Sequence, residues 1–235
     1  MARRTDTTKF PGESAEYRRA RNNLLRAEVK LRKQIAAVTE QRRRLPAGGE
    51  VKTDYVFDAS PPGDREFKQV RLSELFAPGK PTLFLYNFMF PERVGSMTPC
   101  PSCTSIIDGV DGASPHIEQR INFAVVAKAP IARFREHARR RGWEHALLLS
   151  SANNTFNRDY LAEDEAGQQW PLAHVFTRRG KKIRHFWSSE LWFADAEPGQ
   201  DKRHVDFMWP LWSIFDRTPE GRGKTWGPSL EYPAT

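Results

Sequence analysis

Two cysteines are all that the 235 residues contain, and they stand three apart as Cys100 and Cys103. A secreted disulfide framework spreads several cysteines along a chain to staple distant loops. That class is excluded, and a close pair suits redox or metal chemistry in a reducing compartment. Long apolar runs are missing as well. No stretch approaches the roughly 20 residues needed to cross a bilayer, so no membrane partner is expected. The start, Met1-Ala2-Arg3-Arg4-Thr5-Asp6, is basic, but Pro11-Gly12-Glu13 stand where a signal peptide would need its apolar core, which makes the expected location cytoplasmic.

Acidic residues are scarce at the beginning of the chain. Residues 1–50 hold 13 Lys and Arg against 6 Asp and Glu, whereas residues 51–235 hold 24 against 23, so the net charge of +8 belongs to the N-terminal segment. Proline and glycine are absent from Ser14 to Arg44, and Tyr17, Leu24, Leu31 and Val38 recur there by sevens. This spacing predicts a long basic helix with a narrow apolar seam, laid against its own domain or a sister subunit. A homodimer is the expected assembly. Nucleic acid is not an expected partner, because Asp195, Glu197, Asp201, Asp206 and Asp216 dilute the positive field where tryptophan and arginine interleave near the C-terminus.

Pro46-Ala47-Gly48-Gly49 ends the helix. Beyond it, Val51, Tyr55 and Phe57 suggest a strand, and Ser60-Pro61-Pro62-Gly63 a turn. Thr82 to Phe90 is a nearly unbroken apolar run, as in a strand buried on both faces. Ile121–Val126 predicts a second such strand, Ile131–Arg141 a basic helix closed by Gly142, and Ala146–Ser150 a third strand. Strand, helix and strand at this spacing imply a parallel sheet. Two further strands, Leu172–Thr177 and Lys182–Phe186, flank a turn at Arg178-Arg179-Gly180-Lys181 and predict an antiparallel hairpin.

The motif Cys100-Pro101-Ser102-Cys103 lies between the first buried strand and the parallel unit. At a helix start this spacing puts both sulfurs within bonding reach, and the unpaired backbone N–H groups stabilise a thiolate at the first of them. Cys100 is therefore the expected nucleophile and Cys103 the resolving thiol. Asp108, five residues after Cys103, is placed to reach back along a helix and accept its proton; an exposed helix acid is the alternative reading. Two thiolates would also suit Cu(I), with His116 the nearest further ligand by sequence. That leaves a second function class open, a non-enzymatic binding protein that holds a metal through the same pair. No cofactor and no metal is assigned. His137 and His145 flank the basic helix and look solvated. The pattern of a peroxidase, Pro and Thr or Ser seven and three residues before the reactive cysteine, is absent: Arg93 and Met97 precede Cys100, and Ser96 and Cys100 precede Cys103.

The chain resembles the bacterial thioredoxin-like family catalogued as domain of unknown function 899. The resemblance runs through Ala20-Arg21, Arg43-Arg44-Leu45-Pro46, Phe88-Met89-Phe90, the thiol motif, Asp108, Gly142-Trp143, Phe156-Asn157 and Thr218-Pro219-Glu220-Gly221-Arg222; Asn87 stands where the family often shows His. It implies a thioredoxin-like fold with an N-terminal helical extension and names no substrate. A thioredoxin-like arrangement places a proline, in cis, just before the hairpin strand that faces the thiols. Pro171 stands there, with a trans proline at a strand start as the alternative. The expected fold class is thus α/β, a thioredoxin-like central sheet with helices on both faces. The expected divisions are a basic helical extension over 1–50, the thioredoxin-like domain over 51–200, and an aromatic-rich C-terminal extension over 201–235 packing on the core. The expected activity is thiol–disulfide oxidoreduction on a protein or small-molecule substrate.

Overall fold

A computed structural model describes residues 9–63, 66–91 and 98–233. The basic start Met1–Asp6, and Arg93, Ser96 and Met97 of the peroxidase comparison, lie outside the described residues. The chain forms two compact units, Met1–Pro46 and Ala47–Thr235.

The first unit is one helix, α1 (Ala15–Arg43). Ser14 caps it by accepting a hydrogen bond from the Tyr17 amide at 3.1 Å, while Glu16 in the first turn and Arg42 and Arg43 in the last complement the helix dipole. Absence of Pro and Gly lets it run 29 residues.

The second unit is built on one seven-stranded sheet of β1 (Val56–Ser60), β2 (Lys68–Arg71), β3 (Thr82–Phe88), β4 (Asn122–Ala127), β5 (Leu147–Ser150), β6 (Ala173–Arg179) and β7 (Lys182–Ser188). The order across the sheet is β2-β1-β5-β4-β3-β6-β7. Strands β3, β4 and β5 are parallel, and the pairs outside them are antiparallel. Its helices are α2 (Pro101–Asp111), α3 (Ser114–Ile117), α4 (Ile131–Arg141), α5 (Phe156–Asp159) and α6 (Pro210–Phe215).

Alternation along the central strands sorts the core into two layers. Tyr86 and Phe88 of β3, with Phe123 and Val125 of β4, pack with Cys103, Ile106 and Ile107 of α2 and Phe134 of α4. Leu83 and Leu85, with Ala124 and Val126, pack on the other face with Phe57, Leu72, Phe156 and Phe176. Both faces are covered, which is why the central strands read as continuous apolar runs. Each of the buried Phe and Leu side chains contributes about 1.5–3 kcal/mol relative to exposure. This is the thioredoxin-like α/β architecture, with helical segments on both faces of a central sheet.

Two glycines have steric reasons. Gly142 closes α4 at φ 73°, the left-handed conformation at which a helix commonly stops. A Cβ on Gly109 would lie 3.2 Å from Cδ of Pro210, so glycine lets α2 and the start of α6 approach. The C-terminal segment accordingly belongs to the thiol-side core, through Val205, Met208, Trp209 and Trp212.

Candidate active site

Strand β3 ends at Phe88, and the chain returns to the sheet when the Cys100 amide donates to Met89 O at 3.1 Å. Cys100 is then the N-cap of α2 and Pro101 its first residue. The fixed φ of proline suits that position, and its missing N–H costs nothing there. Two backbone bonds shape the turn: Cys103 N donates to Cys100 Sγ at 3.3 Å, and Thr104 N donates to Cys100 O at 2.9 Å.

The two sulfurs sit in unlike environments. Cys100 is partly exposed and Cys103 is 1% exposed. The Cys103 side chain turned toward Cys100 lowers the Cys100 thiol to about 7, against the opposing effect of burial and with help from the backbone N–H groups of residues 103 and 102. Burial pushes the Cys103 thiol well above its ordinary value, and the neighbouring Cys100 adds to the rise. Besides Cys100, the Tyr86 side chain and the Met89 backbone act on the Cys103 thiol, and both favour its ionised form.

The Pro171 segment lies at the same end of the sheet. Asn87 N at the end of β3 donates to Leu172 O at 2.7 Å. The Gln169 side chain accepts from Phe90 N and donates to Phe90 O, both at 3.0 Å, which fixes the strand exit that leads to the thiols. The peptide bond before Pro171 is trans, as is every peptide bond among the described residues, so the expected cis geometry does not occur. Its carbonyl accepts from His204 Nε2 at 2.6 Å, and β6 begins two residues later.

Asp108 is engaged by Arg141 and Trp143. Its carboxylate accepts from Trp143 Nε1 at 2.8 Å and from Arg141 Nε at 3.2 Å, tying α2 to the end of α4. The buried acid of this helix is Asp111, which accepts from the amides of Glu144, His145 and Ala146 at 3.0, 3.1 and 2.9 Å. Burial opposes its ionisation, but these N–H groups and the His145 side chain overcome that and hold the carboxyl below its ordinary range.

His137 is half-buried rather than fully solvated. It stacks on Phe88 at 5.8 Å between ring centres, meets Trp143 edge-on at 5.3 Å, and lies 3.3 Å from Thr104 Oγ1. Burial first, and the Arg141 charge second, lower it to about 4, so it is neutral near pH 7. With Phe90, Pro99, Arg133, Arg140 and Arg141 it lines a cleft of about 490 Å³ next to Cys100 along the chain. A larger cleft, about 890 Å³, is lined by Tyr55, Tyr160, His185 and Ser188 and includes neither cysteine. His116 is exposed on α3, and among the described residues no group of three or more His, Cys, Asp and Glu could hold a metal ion.

A family model described as "Bacterial protein of unknown function (DUF899)" matches residues 7–233. The chain belongs to this family. None of the curated proteins compared with the sequence matches it. Among solved structures, the reduced 2-Cys peroxiredoxin of Plasmodium vivax is similar at 17% identity and a TM-score of 0.45, over 60% of this chain and 83% of that one. The AhpC of Enterococcus faecalis is similar at 14% identity and 0.45, over 75% and 97%. The peroxidoxin BcpB of Mycobacterium tuberculosis is similar at 16% identity and 0.46, over 71% and 96%.

Two features of the thiol surroundings were missed in the sequence. Tyr86 stands inside the apolar run of β3, where an aromatic reads as core; its signal is a single hydroxyl among phenylalanines. Gln169 gave none, since its partners are main-chain atoms 41 and 79 residues away.

Proposed function

We propose that the chain is a thiol–disulfide oxidoreductase with Cys100 as nucleophile and Cys103 as resolving thiol. The observation that carries this reading is the asymmetry of the pair: a partly exposed N-cap sulfur lowered to about 7, and a buried sulfur pushed up behind it. At neutral pH about half of Cys100 is then thiolate, close to the optimum for an attacking thiol.

In the first step the Cys100 thiolate attacks one sulfur of a substrate disulfide, forms a mixed disulfide and expels the other sulfur as a thiolate. In the second, Cys103 loses its proton and attacks Cys100 Sγ. A Cys100–Cys103 disulfide forms, the mixed disulfide breaks, and the second substrate sulfur leaves. The substrate gains two electrons and, with two protons, becomes two thiols; the pair is oxidised by the same two electrons. A thiol reductant closes the cycle, in keeping with a reducing, cytoplasmic setting. Pro171, at the thiol end of the sheet, is assigned to positioning the substrate, and the cleft beside Pro99 to admitting it. Asp108, engaged by Arg141 and Trp143, is assigned to holding α2 rather than to proton transfer.

The test is trapping. Cys103→Ser protein incubated with a peptide disulfide should retain half of the peptide on Cys100 as a stable mixed disulfide, and Cys100→Ser protein should retain none. Failure of Cys103→Ser to trap, with intact wild-type thiols, would reject the assignment.

A further inference from the structure

The thiol-side core is furnished with phenylalanine at Phe84, Phe88 and Phe90, but Tyr86 occupies the position between the first two. Its side chain is fully buried, and its hydroxyl has no hydrogen-bond partner of good geometry. An unpaired buried hydroxyl is costly, and phenylalanine would fill the same volume without the cost. The hydroxyl is not remote from the chemistry, however: Tyr86 and Cys103 are buried in the same core layer, and each side chain affects the ionisation of the other. A neutral thiol is a weak acceptor, whereas a thiolate is a charged one whose hydrogen bonds are roughly twice as strong. The arrangement is therefore poorly satisfied in the resting pair and well satisfied when Cys103 carries charge.

We propose that Tyr86 is a positioning residue for the second thiol step, donating a hydrogen bond to Cys103 Sγ as that sulfur ionises and attacks the mixed disulfide on Cys100. The inference rests on the thiol-exchange reading given above. The Cys103 proton is taken up by the departing substrate sulfur through solvent; the electron pair on Cys103 Sγ forms the new S–S bond as the Cys100–substrate bond breaks. Tyr86 keeps its own proton throughout. Burial, and next the charge that develops on Cys103, hold the phenol protonated well beyond working pH, so it stays a donor. Its effect opposes the burial that raises Cys103.

The experiment compares full-length wild type with Tyr86→Phe. Alkylation of Cys100 should change by less than about twofold. Release of substrate thiol from the mixed disulfide should slow by about tenfold to a hundredfold, the range of a hydrogen bond to a charged group, and its pH midpoint should rise by about one unit or more. A second readout does not need turnover. In Cys100→Ser protein the thiolate absorbance of Cys103 should appear at a higher pH, by about one unit or more, when Tyr86 is replaced by Phe. If wild type releases no thiol at all, the oxidoreductase reading fails and this step with it. If wild type turns over while Tyr86→Phe matches it in rate and pH profile, or the onset of the Cys103 thiolate absorbance does not move, the Tyr86 assignment alone is overturned.

Discussion

The indole N–H of Trp209 donates to Ser105 Oγ at 2.7 Å, so a tryptophan from the C-terminal segment holds the helix that carries the thiols. Ser105 lies two residues past Cys103, and Trp209 is 7% exposed. Ser105→Ala would leave a buried donor unpaired, at a cost of about 1–3 kcal/mol. Urea unfolding should show a loss of that size with an unchanged slope. A change within about 0.5 kcal/mol, the scale of an ordinary surface substitution, would mean that the bond is not maintained in solution.

Asp111 makes the corresponding tie to the loop after α4. Its Ala variant strips three backbone N–H groups of their acceptor and should lose about 2–3 kcal/mol. Because the folded carboxyl titrates below its unfolded value, this stability is present above about pH 4 and is lost as pH falls through the folded pKa. Equal stability of wild type and Asp111→Ala near pH 7 would contradict the arrangement.

Histidines set the slope at milder pH. His137 and His174 are lowered to about 4 and about 3, chiefly by burial, while unfolded histidine titrates near 6.5. Below pH 6.5 the unfolded chain binds protons that the folded chain refuses. Stability should therefore fall between pH 6.5 and 4, and less steeply in His137→Gln. Urea titrations at half-unit steps would expose a flat profile if these rings are accessible.

The seam on α1 leads to a prediction about assembly. Tyr17, Leu24 and Leu31 keep large exposed faces on that helix, seven residues apart. A homodimer built with this seam should give the mass of two chains in light scattering and fall to one on removal of residues 1–46. An unchanged subunit number after truncation would dissociate the seam from assembly.

What could be read in the sequence was what local pattern dictates. The bounds of α4 follow from a basic amphipathic run stopped by Gly142, and those of α1 from a stretch free of Pro and Gly with Ser14 at its head. The buried strands followed from apolar runs, and the thiol helix from the Cys-Pro-Ser-Cys spacing. Strand β2 was not predicted: Lys68-Gln69-Val70-Arg71 is an edge strand whose residues are mostly exposed, so it leaves no apolar signature. Closeness along the chain points Asp108 to Cys103, whereas Arg141 and Trp143, more than thirty residues on, bond it through the packing of α4. His137 looked solvated among arginines, yet the helix turns that one position onto Phe88 and Trp143.

The central claim is the unequal chemistry of the two thiols, and the direct measurement is the alkylation rate of each across pH 5 to 10, read by peptide mass spectrometry on the reduced protein. Cys100 should react much faster than Cys103 at pH 7, with a midpoint near 7, whereas an unperturbed cysteine ionises at about 8.5. Cys103 should stay slow until the protein begins to unfold. Slow and equal labelling of both sulfurs, with midpoints at or above 8.5, would contradict the account.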